Sequence, residues 1–246
     1  MSVSVLLQQI RQIVEDEFSS EHYLSFIYGS YAYGTQDIES DLDILMIGEN
    51  VSADRIRRMT NAVIDVHQHH GMRVDAEVPY HRKLVATWDE VQLATVGGGF
   101  RRESDRLTAT AITKTKSFLE SEEIRLRLWL NAITGNSLFV AGDSDALAGI
   151  QLQARINWIR ILALLLDRRT FSVRSFVDQL IGSGDQVGEW YLGFLDDPIR
   201  REYLENIFRR VFSHCVESER LRETDDSFEI TDENWIRQLL TIGGIN

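Results

Sequence analysis

The chain has 246 residues, 43% hydrophobic and 26% charged, the balance of an ordinary globular protein of one large or two modest domains. Its net charge of −12 argues against a phosphate-backbone grip as the main role and favours cationic partners, metal ions or a polyamine-like substrate among them. One cysteine, Cys215, excludes an internal disulfide, and with no membrane-length apolar run and no basic leader ahead of an apolar core a cytoplasmic protein is expected.

Residues 4 to 17 carry Val5, Leu6, Ile10, Ile13 and Val14 at helical spacing, so a first amphipathic helix is expected. Tyr23 to Tyr28 is short, aromatic and apolar, and reads as a strand that stops at Gly29. Asp41 to Ile47 is the next strand. Residues 53 to 70 form a helix that Ser52 is placed to cap, with Gly71 where a left-handed terminator belongs. Met72 to Tyr80 alternates and ends at Pro79, a third strand, and Lys83 to Thr87 could extend the sheet.

Past "TVGGGF" (residues 95 to 100) the pattern turns helical: 104 to 119, 121 to 133, 144 to 168, 172 to 181, 186 to 195, 198 to 222 and 231 to 242. Ser121, Ser172 and Thr231 are suited to cap three of them. The glycine run reads as a junction. The fold class is therefore α+β: a small mixed β-sheet domain with flanking helices over residues 1–97, then an all-helical domain over 98–246.

Asp41 and Asp43 are the oddity, two carboxylates leaving the same face of a strand. Buried without compensation, like charges about 7 Å apart would cost several kcal/mol, whereas a hard divalent cation such as Mg²⁺ takes carboxylate oxygens as ligands. Asp75 and Glu77 again share one strand face. Side by side, the two strands would gather the carboxylates that two-metal phosphoryl chemistry needs, with ions about 3.5–4 Å apart. Gly29 and Ser30 add a turn whose backbone N–H groups and hydroxyl can meet a phosphate, the more so if Ser30 opens a helical turn.

Apolar strand, Gly-Ser, a ten-residue gap and Asp-apolar-Asp-apolar together resemble the signature of the DNA polymerase β-like nucleotidyltransferase superfamily. "GSYAYGT" followed by "SDLDIL" is especially similar to its small bacterial members, the aminoglycoside adenylyltransferases and nucleotidyltransferase toxins. The resemblance covers roughly residues 20 to 80. It implies that Gly29 and Ser30, with Ser40 counted beside them, contact a nucleoside triphosphate, and that Asp41 and Asp43 bind metal. Asp75 is the preferred third ligand, and Glu77 competes for that place because some members carry an acid before Val-Pro. The third carboxylate resembles a general base in antibiotic-modifying members, so Asp75 and Glu77 could divide metal and proton between them.

The implied activity is transfer of a nucleoside monophosphate, AMP by preference, from ATP to an acceptor hydroxyl with two Mg²⁺ ions and release of pyrophosphate. An aminoglycoside-like small molecule is one acceptor, favoured by the acidic balance; a tRNA end or a protein side chain, as in toxin-type members, is another. A catalytically silent nucleotide-binding module is the third reading, and the intact aspartate pair speaks against it. The helical remainder matches no motif and would bind the acceptor.

Other features have plainer readings. His67, His69 and His70 suit the negative end of a helix better than a zinc site. Arg101 and Arg102 beside the glycine run could neutralise a triphosphate, with a hinge preferred. Arg82 and Lys83 read as a solvated strand end, Trp129, Trp158 and Trp190 as core or groove anchors, and Cys215 as a small packing residue.

Overall fold

In the first helix, α1 (Val3–Phe18), Leu6, Ile10, Val14 and Phe18 recur every four residues and all lie at 0–1% exposure. That stripe must be covered, and the sheet covers it. The computed structural model of the chain describes residues 3–18, 21–74, 83–103, 106–109, 122–182 and 198–242.

Two compact units result. The first takes Met1–Gln92 and Lys114–Ile150, the second Leu93–Thr113 and Gln151–Asn246. The expected cut at residue 97 falls close to the first change of unit, but the chain then returns to the first unit before leaving it again.

The first unit is built on a four-stranded mixed sheet of order β3-β2-β1-β6. Its strands are β1 (Leu24–Tyr28), β2 (Asp43–Gly48), β3 (Val85–Thr87) and β6 (Leu138–Gly142). β1 runs antiparallel to β2 and to β6, and β2 runs parallel to β3 with Met46 opposite Val85. Between them lie α2 (Ser30–Tyr33), α3 (Ala53–His69), α4 (Trp88–Thr95) and, before β6, α5 (Glu122–Thr134). Ser52 caps α3 as expected, accepting from the Arg55 N–H at 3.2 Å, and Gly71 follows in a left-handed conformation at φ 63°. α3 is stapled to α1 by a two-pronged Arg58 pair with Glu17 at 2.7 Å, and to the segment that follows α1 by Arg55 to Glu21.

The strand expected over residues 72–80 has no counterpart in the part described: Met72–Val74 carry no regular structure, and 75–80 lie outside the described residues. β3 begins instead at Val85, within the Lys83–Thr87 extension. β6 was not expected. "LFVAG" is too short to show a period, yet it closes the edge of β1, and Gly142 at φ 94° sits where a Cβ would come within 2.1 Å of the Tyr23 carbonyl.

The chain enters the second unit along α4 and, after its return, along α6 (Ser144–Leu166). Gly97–Gly99 form a buried turn after α4, with the Gly98 N–H on the Leu93 carbonyl at 3.0 Å, leading into the hairpin β4 (Phe100–Glu103) and β5 (Arg106–Ala109). The helix expected over 104–119 is strand in its described part. β7 (Thr170–Phe171) and α7 (Val173–Gly182) follow, and Ser172 caps α7 as expected. α8 (Pro198–Glu217) stops before residue 222 because a hairpin, β8 (Leu221–Thr224) and β9 (Ser227–Ile230), turns at Asp225-Asp226. α9 (Glu233–Arg237) is capped by Asp232, one residue past the expected Thr231.

The unit's core is aromatic: Phe176 meets Phe171, Phe208 and Phe212 with ring centres 4.7–5.6 Å apart, and Phe212 stacks on Phe228. Trp129 and Trp158 are buried, while Trp190 and the helix expected over 186–195 lie outside the described residues. Cys215 is a packing residue whose thiol burial pushes up to about 12. The α+β class therefore holds, with a C-terminal part that is helical but carries two small sheets.

Phe18 stacks on Tyr23 and underlies the Arg55 guanidinium at 4.7 Å. Phe18→Ala is expected to lower unfolding free energy by about 3–5 kcal/mol. Val5→Ala, on the same helix but 46% exposed, should change it by under about 0.5 kcal/mol. Urea denaturation checks both, and equal effects would contradict the assigned buried face.

Candidate active site

The site begins where β1 stops. Gly29 adopts φ 69° and ψ −153°, a conformation that side-chain-bearing residues rarely hold, and turns the chain from β1 into α2. Tyr28 is register partner to Asp43, so the turn lies directly against the head of β2. A Cβ on Gly29 would stand 2.4 Å from Asp43 Oδ2. Glycine is thus required here twice, for its backbone and for the space it leaves.

Asp43 is the first residue of β2, and Asp41 precedes the strand rather than lying within it. The two carboxylates nonetheless converge. Lys83 Nζ donates to Asp41 Oδ2 at 3.0 Å and to Asp43 Oδ1 at 3.2 Å. The Lys83 side chain is 7% exposed and each carboxylate 25%. This corrects the solvated strand end read from the sequence: the side chain is nearly buried, and its ammonium reaches both acids. The Lys83 carbonyl accepts from Trp129 Nε1 at 3.3 Å, which ties the residue to α5.

Sequence reasoning missed His67. It takes the next place in the buried stripe of α3 after Met59 and Val63. Its Nδ1–H donates to the Val63 carbonyl at 2.7 Å, so Nε2 is the acceptor, and the Leu42 N–H donates to it at 3.0 Å. Leu42 is the residue between the two aspartates. A neutral imidazole therefore fixes the peptide that sets their spacing. The available signal was the i, i+4 position in an apolar stripe, which marks a buried histidine but not its partner.

Asn136 was missed as well. Its N–H donates to the Tyr33 hydroxyl at 2.8 Å and its side-chain amide to the Ala32 carbonyl at 2.6 Å, so the loop before β6 holds the Gly-Ser turn from behind. Tyr31 stands near Asp41; burial, with the Asp41 charge adding to it, raises its phenol and keeps it a proton donor.

Of the residues expected here, Gly29, Ser30, Asp41 and Asp43 come together around β2. The Ser40 hydroxyl donates to Asp37 Oδ1 at 2.9 Å and accepts from the Asp37 N–H, closing a small turn beside a cavity of about 200 Å³ lined also by Tyr31, Gln36 and Met72. Asp75, Glu77 and Arg82 lie outside the described residues. Arg101 and Arg102 sit on β4 in the second unit, where Arg102 bonds the Leu240 carbonyl. Among the described residues no group of three His, Cys, Asp or Glu is arranged to hold a metal. The aspartate pair still fits a hard cation, because an ammonium already stands at the point on which both carboxylates converge.

Residues 7–83 match the family described as the nucleotidyltransferase domain. No curated protein and no solved structure matches the chain. The matched segment runs from α1 to Lys83 and contains the Gly-Ser turn and both aspartates. It is a nucleotidyltransferase domain of the DNA polymerase β-like superfamily. The domain makes the chain a transferase of nucleotidyl groups, and domains of this family generally draw on a nucleoside triphosphate and a divalent metal. No helix among the described residues is long and apolar enough to cross a membrane.

Gly29→Ala is expected to push the Asp43 carboxylate from its place and cut nucleotidyl transfer by about a hundredfold, the cost of roughly 1 Å of misplacement. Initial rates against wild type check it; full activity would remove Gly29 from the site.

His67 supplies a pH test. Burial, the dominant cause, holds it below the ordinary 6.5, opposed by the Val63 carbonyl and Asp41 and assisted by Lys83. The unfolded chain then takes up a proton that the folded chain refuses. The stability contribution is complete above about 6.5 and is lost as pH falls below it. Thermal unfolding at about pH 7.5 and about pH 5.5 should show a smaller drop for His67→Gln, which keeps an acceptor for Leu42 but cannot charge.

Proposed function

We propose that the chain is a Mg²⁺-dependent adenylyltransferase that moves AMP from ATP to a hydroxyl of a small cationic acceptor, of the aminoglycoside kind, and releases pyrophosphate. The observation that carries the reading is the convergence of Asp41 and Asp43 on one cation, with Gly29 packed against Asp43. Asp41 and Asp43 would hold two magnesium ions, with Asp75 as the third carboxylate. When bound, magnesium neutralises phosphate charge and aligns the attacking and leaving oxygens.

The chain's own residues supply the rest. Gly29, lacking a side chain, lets the triphosphate approach the backbone, and the Ser30 hydroxyl donates to a phosphate oxygen. His67 and Asn136 hold the aspartate peptide and the Gly-Ser turn in place, so that little reorganisation is needed when charge builds at the phosphorus. The cavity flanked by Tyr31 and Ser40 offers room beside Asp41 for part of the nucleotide. Glu77 takes the proton of the acceptor hydroxyl if Asp75 serves the metal. The net charge of −12 supports a cationic acceptor over an RNA one.

Asp41→Asn and Asp43→Asn should each reduce pyrophosphate release with ATP, Mg²⁺ and an aminoglycoside panel by at least about a thousandfold. Far-UV circular dichroism should be unchanged. An active double variant would sink the assignment. Label from ATP entering the RNA or protein fraction of a bacterial lysate, with none on the panel, would overturn the acceptor alone.

A further inference from the structure

We propose that the first unit carries a second ligand site, for a small aromatic carboxylate, at the end of the sheet remote from Asp41 and Asp43. This site goes beyond the transfer reaction and does not depend on it.

The site is a cavity of about 630 Å³, the size of a small-molecule pocket. α3, β3, α4 and α5 all contribute to its lining, and every described lining residue belongs to the first unit. Val51, Ile56, Val85 and Trp129 supply apolar wall. Val85 and Thr87, which both line it, lie opposite Met46 and Gly48. Those partners stand three and five residues beyond Asp43, about 10 and 17 Å along β2. Transfer needs reacting atoms about 3–3.5 Å apart. A small molecule in this cavity therefore sits out of reach of a phosphorus held at the aspartates, and it is not the acceptor.

The polar lining sets the ligand's chemistry. Thr60 Oγ1 and Arg125 Nε are both buried without a hydrogen-bond partner among the described residues. A guanidinium N–H only donates and a hydroxyl can donate, so both groups are met by acceptor oxygens. A buried donor left unmet is costly, and an acceptor placed there removes that cost.

Charge selects an anion. Arg57 and Arg125 line the cavity against one carboxylate, Glu90, among the described residues, on a chain whose net charge is −12. Glu90 is already answered: its Oε2 accepts from the Thr87 N–H at 2.9 Å and its Oε1 from Arg125 Nη2 at 3.3 Å. A guanidinium shared in this way suits a singly charged carboxylate better than a doubly charged phosphate. It also lies 5.2 Å from the centre of the Trp129 ring, so an acid bound to Arg125 brings an attached aromatic ring against the indole.

Cinnamate is the probe, with cinnamamide and cinnamylamine as its neutral and cationic counterparts, each titrated into the full chain by isothermal calorimetry. Wild type is expected to bind the acid at least about tenfold more tightly than the amide, and the amine more weakly still. Arg125→Met should lower affinity for the acid at least about tenfold and leave that for the amide within about twofold. Thr60→Val keeps the shape and removes the hydroxyl. It should weaken the acid about three- to tenfold without lowering the melting temperature, because its oxygen has no hydrogen bond to lose. Asp43→Asn should bind the acid as wild type does. No binding of cinnamate by wild type up to about 10 mM, equal affinity in wild type and Arg125→Met, or tighter binding of the amine overturns the proposal. Loss of the acid in Asp43→Asn would place it at the aspartates and overturn the proposal as well.

Discussion

Two carboxylates a residue apart repel, and the first unit is arranged to hold them together. Lys83 answers their charge with two hydrogen bonds from a nearly buried ammonium. His67 fixes the peptide between them. Gly29 stands close enough to Asp43 that no side chain fits. Remove the need to gather the two acids and each of these three contacts loses its purpose. Three elements distant in sequence, α3, the entry to β3 and the end of β1, are thus committed to one pair of side chains.

The pair and the turn were legible because local pattern carries them. Asp41 and Asp43 break an apolar run, and Gly29 ends one, so the anomaly is visible within about twenty residues. α1 and α3 were legible through their apolar stripes, and α3 through its Ser52 cap. What was missed depends on contacts across long separations. Lys83 looks like a charge at a strand end, and only the parallel pairing of β3 with β2 brings it under the aspartates. Asn136 has no sequence neighbour that hints at the Tyr33 hydroxyl, 103 positions away. β6 and the β8-β9 hairpin were hidden by short length, since five or four residues show too little period to outweigh adjoining helices.

The histidines show how one residue type divides by surroundings. His67 is buried and kept neutral, its two ring nitrogens both committed to backbone groups. His70, three residues on, meets the Gln9 amide near the surface. The same "HQHH" string therefore holds a structural support for the aspartates and a surface contact, a division that composition could never disclose.

The late position of β6 has a consequence for how the protein is made. β1 emerges from the ribosome early, yet the strand that covers its outer edge, Leu138–Gly142, follows more than a hundred residues later. Until then a nascent chain presents a strand destined for complete burial, Leu24–Tyr28, with one row of backbone groups unpaired. The loop that steadies the Gly-Ser turn arrives in the same late stretch. The first unit's sheet is consequently complete only after the excursion through residues 93–113 has been synthesised, and the edge of β1 stays uncovered in that interval.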